Sequence, residues 1–286
     1  MIAPIRFACY LCSEYSDTRT NTLASYERPD QYELAVGITD HSYFRKWVKC
    51  SKCGLILSIY SRTHSALDIL YEKLYRKEGS VPWRKHSTEQ TFEIVRNLSP
   101  ESSETVERVT FIKKKIINYQ KMDLFPQKMK YRLLDVGGAT GSFAFEFKDT
   151  SWDVDIIDPD PSGVFLEKHG INFRCGYLSA ESYEIRFDLV SLVFVLEHVG
   201  DPKKIIHEIS KLMCKGALLY IEVPDEIAFT KKASGDDIFN SCHLFMFGPM
   251  SLGNLLHQSG FKILSLERTQ TKRGHFALTC IANLAT

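Results

Sequence analysis

No apolar stretch of this 286-residue chain approaches the roughly 18–20 residues that a membrane-spanning helix needs. Its start, MIAPIRFACYLC, lacks a charged segment followed by a long apolar one, so nothing marks a secretion signal. Charge of one sign is not in excess either. Lys and Arg number 36 against 35 Asp and Glu, which gives no overall attraction to nucleic acid or an anionic membrane, although a local basic patch fits the same balance. Internal repeats and low-complexity tracts are missing. These absences point to a cytoplasmic globular protein, with length for one large domain and a small one.

Cysteine is where the composition becomes informative. Of eight, Cys175, Cys214, Cys242 and Cys280 are scattered and read as buried small apolar residues in a reducing compartment. The other four form two C-x-x-C pairs, Cys9/Cys12 and Cys50/Cys53, the second followed by Gly54. Each spacing lets one tight turn present two sulfurs, and four thiolates fill a tetrahedral Zn²⁺ site with no open position, which makes the expected ion structural. A thiol-redox pair or coincidental free cysteines are the competing readings. His41 and His64 are nearby alternative ligands.

The pattern along the chain divides it into 1–80, a zinc-binding module; 81–127, a helical linker or lid; and 128–286, a strand–helix alternation. In the middle part, Ser99-Pro100-Glu101 reads as a helix start, with Val106, Val109, Ile112 and Ile116 at helical spacing. In the last part RLLDVGG, WDVDIIDPD, INFRCG, FDLVSLVFVLEHV and ALLYIEVP are successive strands. Asp201-Pro202 opens a helix, and SLGNLLHQSG is another. FKILSLER and HFALTCIAN close the chain as an antiparallel hairpin turning near Arg273-Gly274. The expected fold is α/β and Rossmann-like: a mostly parallel seven-stranded sheet with a C-terminal antiparallel hairpin.

The strand–turn–helix LLDVGGATGSF brings Asp135, Gly137, Gly138 and Gly141 together. It does not fit the dinucleotide fingerprint G-x-G-x-x-G, whose second and third glycines would fall on Ala139 and Ser142. About 20 residues on, Asp158 ends the next strand, where a carboxylate can accept from both hydroxyls of a ribose. The loop spacing resembles motif I of class I S-adenosylmethionine-dependent methyltransferases. FDLVSLVFVLEHVGDP, followed by a helix and a strand ending in VP, resembles that superfamily's fourth motif. The resemblance covers roughly residues 130–283. It implies a cofactor site in which Asp135 serves the methionyl ammonium, Gly137, Gly138 and Gly141 line the methionine end, Asp158 and Pro159 meet the ribose, Tyr177 approaches the adenine, and Phe194 flanks the cofactor.

The N-terminal segment resembles the zinc-bearing module of bacterial sugar- and glycan-modifying methyltransferases. That resemblance implies an acceptor that is a sugar, nucleotide-linked or within a surface polysaccharide. Relatives that methylate carbon carry a further C-terminal domain, so an end at Thr286 favours O-methylation. A sugar hydroxyl is a poor nucleophile near neutral pH and calls for a general base. His243 in SCHLFMF and His198 in Leu196-Glu197-His198 are the candidates, with a packing or capping role as the plain alternative for each. Glu222 and Asp225 in IEVPDE would orient the hydroxyls or the base. Tyr75, Trp83, Arg84 and Lys85 would form a lid or substrate wall. Two other functions compete: RNA methylation using the zinc module, disfavoured by the charge balance and by FVLEH standing where an NPPY-like tetrad would be, and a non-catalytic cofactor-binding scaffold.

Overall fold

The computed structural model describes residues 6–17, 21–39, 43–61 and 85–285. His41, His64, Tyr75, Trp83 and Arg84 lie outside the described residues.

The N-terminal part begins with a hairpin, β1 (Arg6–Ala8) and β2 (Tyr15–Asp17), whose turn carries Cys9 and Cys12. Next come β3 (Thr22–Tyr26), α1 (Gln31–Ala35), β4 (Arg45–Lys49) and β5 (Ile56–Tyr60). A capping box starts α1: Asp30 accepts from Tyr32 and Glu33 N–H while Glu33 accepts from Asp30 N–H.

Two helices follow, α2 (Thr88–Arg96) and α3 (Glu104–Lys121). The expected start of α3 at Ser99-Pro100-Glu101 is corrected. The Ser102 and Ser103 N–H groups donate to the Ser99 carbonyl, so those residues form a turn, and the Ser103 side chain caps the helix by accepting from Val106 N–H at 3.2 Å. Val109, Ile112, Ile116 and Tyr119 line the buried stripe, while Val106 is half-buried.

The remainder alternates as expected: β6 (Tyr131–Val136), α4 (Ser142–Phe147), β7 (Trp152–Asp158), β8 (Asn172–Cys175), β9 (Phe187–Val193), α5 (Pro202–Leu212), β10 (Met213–Pro224), α6 (Ala228–Lys231), β11 (Phe245–Met246), α7 (Pro249–Gln258), β12 (Phe261–Gln270) and β13 (Phe276–Leu284). A 3₁₀ helix, Pro161–His169, stands between β7 and β8 where a longer α-helix is usual. The sheet order is β12-β13-β10-β9-β6-β7-β8. The five strands from β8 to β10 run parallel, and β13 is antiparallel to both its neighbours.

Both faces are covered, which is why β9 reads as an unbroken apolar run. On one face Phe92, Val109, Ile112, Phe143 and Phe147 pack against Leu133, Leu189 and Leu218. On the other, Ile206, Ile209, Leu252 and Leu255 pack against Val190, Leu192, Leu219 and Ile221. That second core continues without a break into Cys9, Leu11, Cys50, Cys53, Leu55 and Leu57. The two parts are also joined by the hydrogen bonds of a sheet. Phe245 and Met246 of β11 pair with Leu57 and Ile56 of β5, giving a four-stranded sheet β11-β5-β4-β3 that takes one strand from after β10. Among the described residues no helix is long and apolar enough to cross a membrane.

Candidate active site

Where β6 ends, the chain turns at Gly137, with φ +70°, and its N–H donates to the Ile157 carbonyl at 2.7 Å. A Cβ there would sit 2.6 Å from Val195 Cγ2, so the backbone approaches the β9 exit more closely than any side chain allows. Gly138 lies over Asp135, and Gly141 is the N-cap of α4. Asp135 is buried and accepts from Ser191 Oγ at 2.6 Å.

Asp158, 1% exposed, accepts from Ala139 N–H (3.0 Å) with one oxygen and Asp160 N–H (2.9 Å) with the other. It thus ties the end of β7 to the glycine loop. Ala139 needs that tie, since it occupies the left-handed region at φ +53° where a side chain costs roughly 1–2 kcal/mol. Phe194 at the end of β9 is also left-handed, φ +54°, and its N–H donates to the Glu222 carbonyl at 2.8 Å. Pro159 is half-buried beside Asp158. The side chain of Tyr177 is 65% exposed. The candidate cofactor residues therefore share the carboxyl edge of β6, β7, β8 and β9, the ligand edge of an open parallel sheet.

The two histidines come from separate segments and meet. His198 closes the short 3₁₀ turn after β9, and His243 lies between β10 and β11; their ring centroids are 4.8 Å apart. Leu244 N–H donates to the Glu197 carbonyl at 2.7 Å, which joins the two segments directly. His198 Nδ1 lies 2.9 Å from the Cys242 carbonyl and His243 Nδ1 2.8 Å from that of Ile238. A carbonyl only accepts, so both Nδ1 atoms carry the proton. Burial, reinforced by His198, holds His243 well below the usual imidazole range, so it stays neutral.

Glu197 completes this group and was missed as a candidate. It is 0% exposed, its Oε1 lies 3.8 Å from His198 Nε2, and burial pushes its carboxyl up to about 8, with Glu222 adding to the rise. Among the described residues neither of its carboxylate oxygens has a hydrogen-bond partner. The available signal was an acid following the apolar run LVSLVFVL, which a strand exit buries.

Glu222 and Asp225 stand at the end of β10, where arginines hold them. Glu222 pairs through both oxygens with Arg108 Nε (2.5 Å) and Nη2 (2.7 Å) and accepts from Tyr220 OH at 2.7 Å. Burial alone would lower Arg108, but the bonds to Glu222 hold it above its ordinary value. Asp225, 1% exposed, accepts from Arg268 Nε at 2.8 Å and from Ile227 N–H at 3.1 Å. These carboxylates fasten α3 and β12 to the end of β10. A cavity of about 120 Å³ opens beside the first pair, lined by Arg108, Phe111, Glu222, Thr269 and Thr279. Lys85 is exposed at the edge of the described residues.

The four paired cysteines converge. Cys9 Sγ and Cys53 Sγ are 3.4 Å apart, Cys12 Sγ and Cys50 Sγ 3.6 Å, and all four lie within 4.8 Å of one another. Zn–S bonds of about 2.3 Å in a tetrahedron imply S···S separations of about 3.8 Å, so the donor set fits that ion. Both knuckles use the same backbone device. Ser13 and Gly54, each just after the second cysteine, have φ of +57° and +74°, and their N–H groups close the turns on the Cys9 and Cys50 carbonyls. Sharing a proton with Cys53 lowers the Cys9 thiol to about 5 and raises its partner.

The sheet order, the glycine turn after its first strand and the buried acid after its second define an α/β enzyme with a nucleoside-bearing cofactor. The family described as methyltransferase domain matches residues 93–266, more than half of the chain, and the chain belongs to that family, as an S-adenosylmethionine-dependent methyltransferase. Its structure is similar to that of 1,6-didemethyltoxoflavin-N1-methyltransferase from Burkholderia thailandensis, solved with 1,6-didemethyltoxoflavin and S-adenosylhomocysteine: 14% identity, 86% of this chain and 97% of that one, TM-score 0.53. It is also similar to the CurJ carbon methyltransferase: 13% identity, 71% of this chain and 60% of that one, TM-score 0.50. At these identities the likeness is one of fold. No curated protein matches the sequence significantly.

Proposed function

We propose that this enzyme methylates a sugar hydroxyl, on a nucleotide-linked sugar or a glycan, in the cytoplasm, with Zn²⁺ held structurally by Cys9, Cys12, Cys50 and Cys53. The observation that carries the reading is the meeting of His198 and His243 at the ligand edge of the sheet, from two segments with no reason of sequence to adjoin. Gly137, Gly138 and Gly141 would admit the methionyl end, Asp135 would act on its ammonium through the loop, Asp158 would face the ribose, Tyr177 would approach the adenine, and Phe194 would flank the cofactor.

S-adenosylmethionine, when bound, supplies an electrophilic methyl carbon on a cationic sulfur. The protein's part is alignment and proton removal. His243, held neutral by burial, or His198 would take the hydroxyl proton as the oxygen is methylated, and the cofactor would depart as its thioether. The Arg108–Glu222 pair and the cavity beside it flank the acceptor side.

The test uses methyl-labelled cofactor with a panel of nucleotide-linked sugars, glycans and heteroaromatic amines. Label should appear on a sugar oxygen. His243→Ala or His198→Ala should lower turnover by roughly 10²–10⁴-fold at one of the two positions, with S-adenosylhomocysteine affinity unchanged. Label confined to nitrogen or carbon, or two alanine variants of undiminished turnover, would remove the sugar and the histidine assignments respectively.

A further inference from the structure

We infer that Glu197, His198 and His243 form a second metal site, one that takes a divalent transition ion through two imidazoles and a carboxylate. One donor atom from each residue lies within 4.8 Å of the others. Filled sites with metal–ligand bonds of about 2.0–2.1 Å bring such donors to about 3.3 Å, so contraction by up to about 1.5 Å closes this one.

Three features prepare the residues for an ion. Both Nδ1–H groups donate to main-chain carbonyls, of Cys242 and Ile238, and this fixes the tautomer that leaves the lone pair on Nε2. His198 Nε2 already faces Glu197 Oε1 at 3.8 Å. Glu197 is fully buried, and among the described residues both its oxygens lack a partner. A buried carboxylate in that condition is strongly disfavoured unless a proton or a cation compensates it. Two neutral nitrogens and one oxygen beside it are a ligand set for borderline metals such as Zn²⁺.

Three protein donors leave a coordination position open, as catalytic sites do and the four-cysteine site does not. The inference rests on reading this cluster as the acceptor-facing one. With an ion bound, both Nε2 lone pairs are committed to it, so the ion takes over the part proposed for a histidine: a hydroxyl at the open position is acidified by the ion's charge and gives its proton to water.

Full-length protein purified without chelator and then equilibrated with Zn²⁺ should hold about two equivalents by elemental analysis. Glu197→Gln, close in size to the native residue, should hold one, and so should Cys50→Ser. Co²⁺ exchange separates the sites: thiolate charge-transfer absorption belongs to the cysteines, and weaker visible bands without it to the histidines. His243→Gln provides a second variant should Glu197→Gln fold poorly, with S-adenosylhomocysteine binding as the folding control. Wild-type protein that saturates at one equivalent, with Glu197→Gln unchanged and Cys50→Ser empty, overturns the second site alone. One equivalent lost in Glu197→Gln and kept in Cys50→Ser sustains it and removes the cysteine site instead. Both results stand apart from methyl-transfer turnover.

Discussion

At Asp158 the proposed function would give a single carboxylate two duties. Its oxygens already hold the Ala139 and Asp160 N–H groups, and a ribose would share them. Replacing Asp158 with Ala should therefore weaken S-adenosylhomocysteine binding by roughly 1.5–3 kcal/mol, the range for hydrogen bonds to a charged group. Calorimetry is the check, and an unchanged affinity would place the ribose elsewhere. The position of Asp158 was legible because an acid ending the second strand has a fixed distance from the glycine loop. Glu197 was not: in the linear chain it is one acid beside a histidine, and only burial together with the approach of His243 singles it out. Glu222 and Asp225 were placed at the correct strand end, but their arginines, Arg108 and Arg268, stand 114 and 43 residues away in sequence. Spacing gives no means of pairing such residues.

Among the elements, β11 has the largest consequence for its length. Two residues, Phe245 and Met246, bring the His243 segment onto β5. Tyr60 on β5 donates to the Ser241 carbonyl at 2.5 Å, and Asp30 accepts from Ser241 N–H (2.5 Å) and Oγ (2.7 Å). Arg45, stacked over Tyr26, donates to the Phe239 carbonyl at 2.5 Å. Tyr60→Phe should lower kcat by roughly 2–10-fold, the worth of one hydrogen bond, with cofactor affinity held. Steady-state kinetics beside calorimetry would reveal an effect on stability alone. A second inter-element link titrates. The Lys115 ammonium on α3 and the Ser265 hydroxyl hold Glu267 on β12 below the ordinary carboxylate range. A depressed folded-state pKa adds stability that is present above the unfolded value of about 4.3 and is lost as pH falls through the folded one. Lys115→Met should narrow the difference between denaturant midpoints at pH 6 and pH 3; an unaltered difference would show that the pair is screened out.

For the whole molecule, the N-terminal part is built into the catalytic core. Cys9, Cys50 and Cys53 belong to the same apolar cluster as Leu252 and Ile221, and Lys49 pairs with Glu226 at 2.7 Å. Zinc contributes roughly 10–16 kcal/mol of apparent folding free energy in small modules. Cys50→Ser should accordingly lower Tm, make residues 6–61 susceptible to protease, and reduce turnover through β11, while S-adenosylhomocysteine affinity changes little. Loss of turnover with an intact N-terminal part would refute this coupling. What the sequence determined by itself was local or periodic: the strand–helix alternation, the glycine turn, the closing hairpin, the acid that ends β7 and the two cysteine knuckles. Each of these follows from residues a few positions apart, whose backbone conformation or burial pattern needs no distant partner. Tertiary structure decided the rest. It moved the start of α3 to Ser103, lent β11 to the N-terminal sheet, drew the four sulfurs together, and brought Glu197 and His198 against His243. Those outcomes depend on which surfaces meet when two apolar faces are buried at once, and the spacing of residues along the chain carries no record of that meeting.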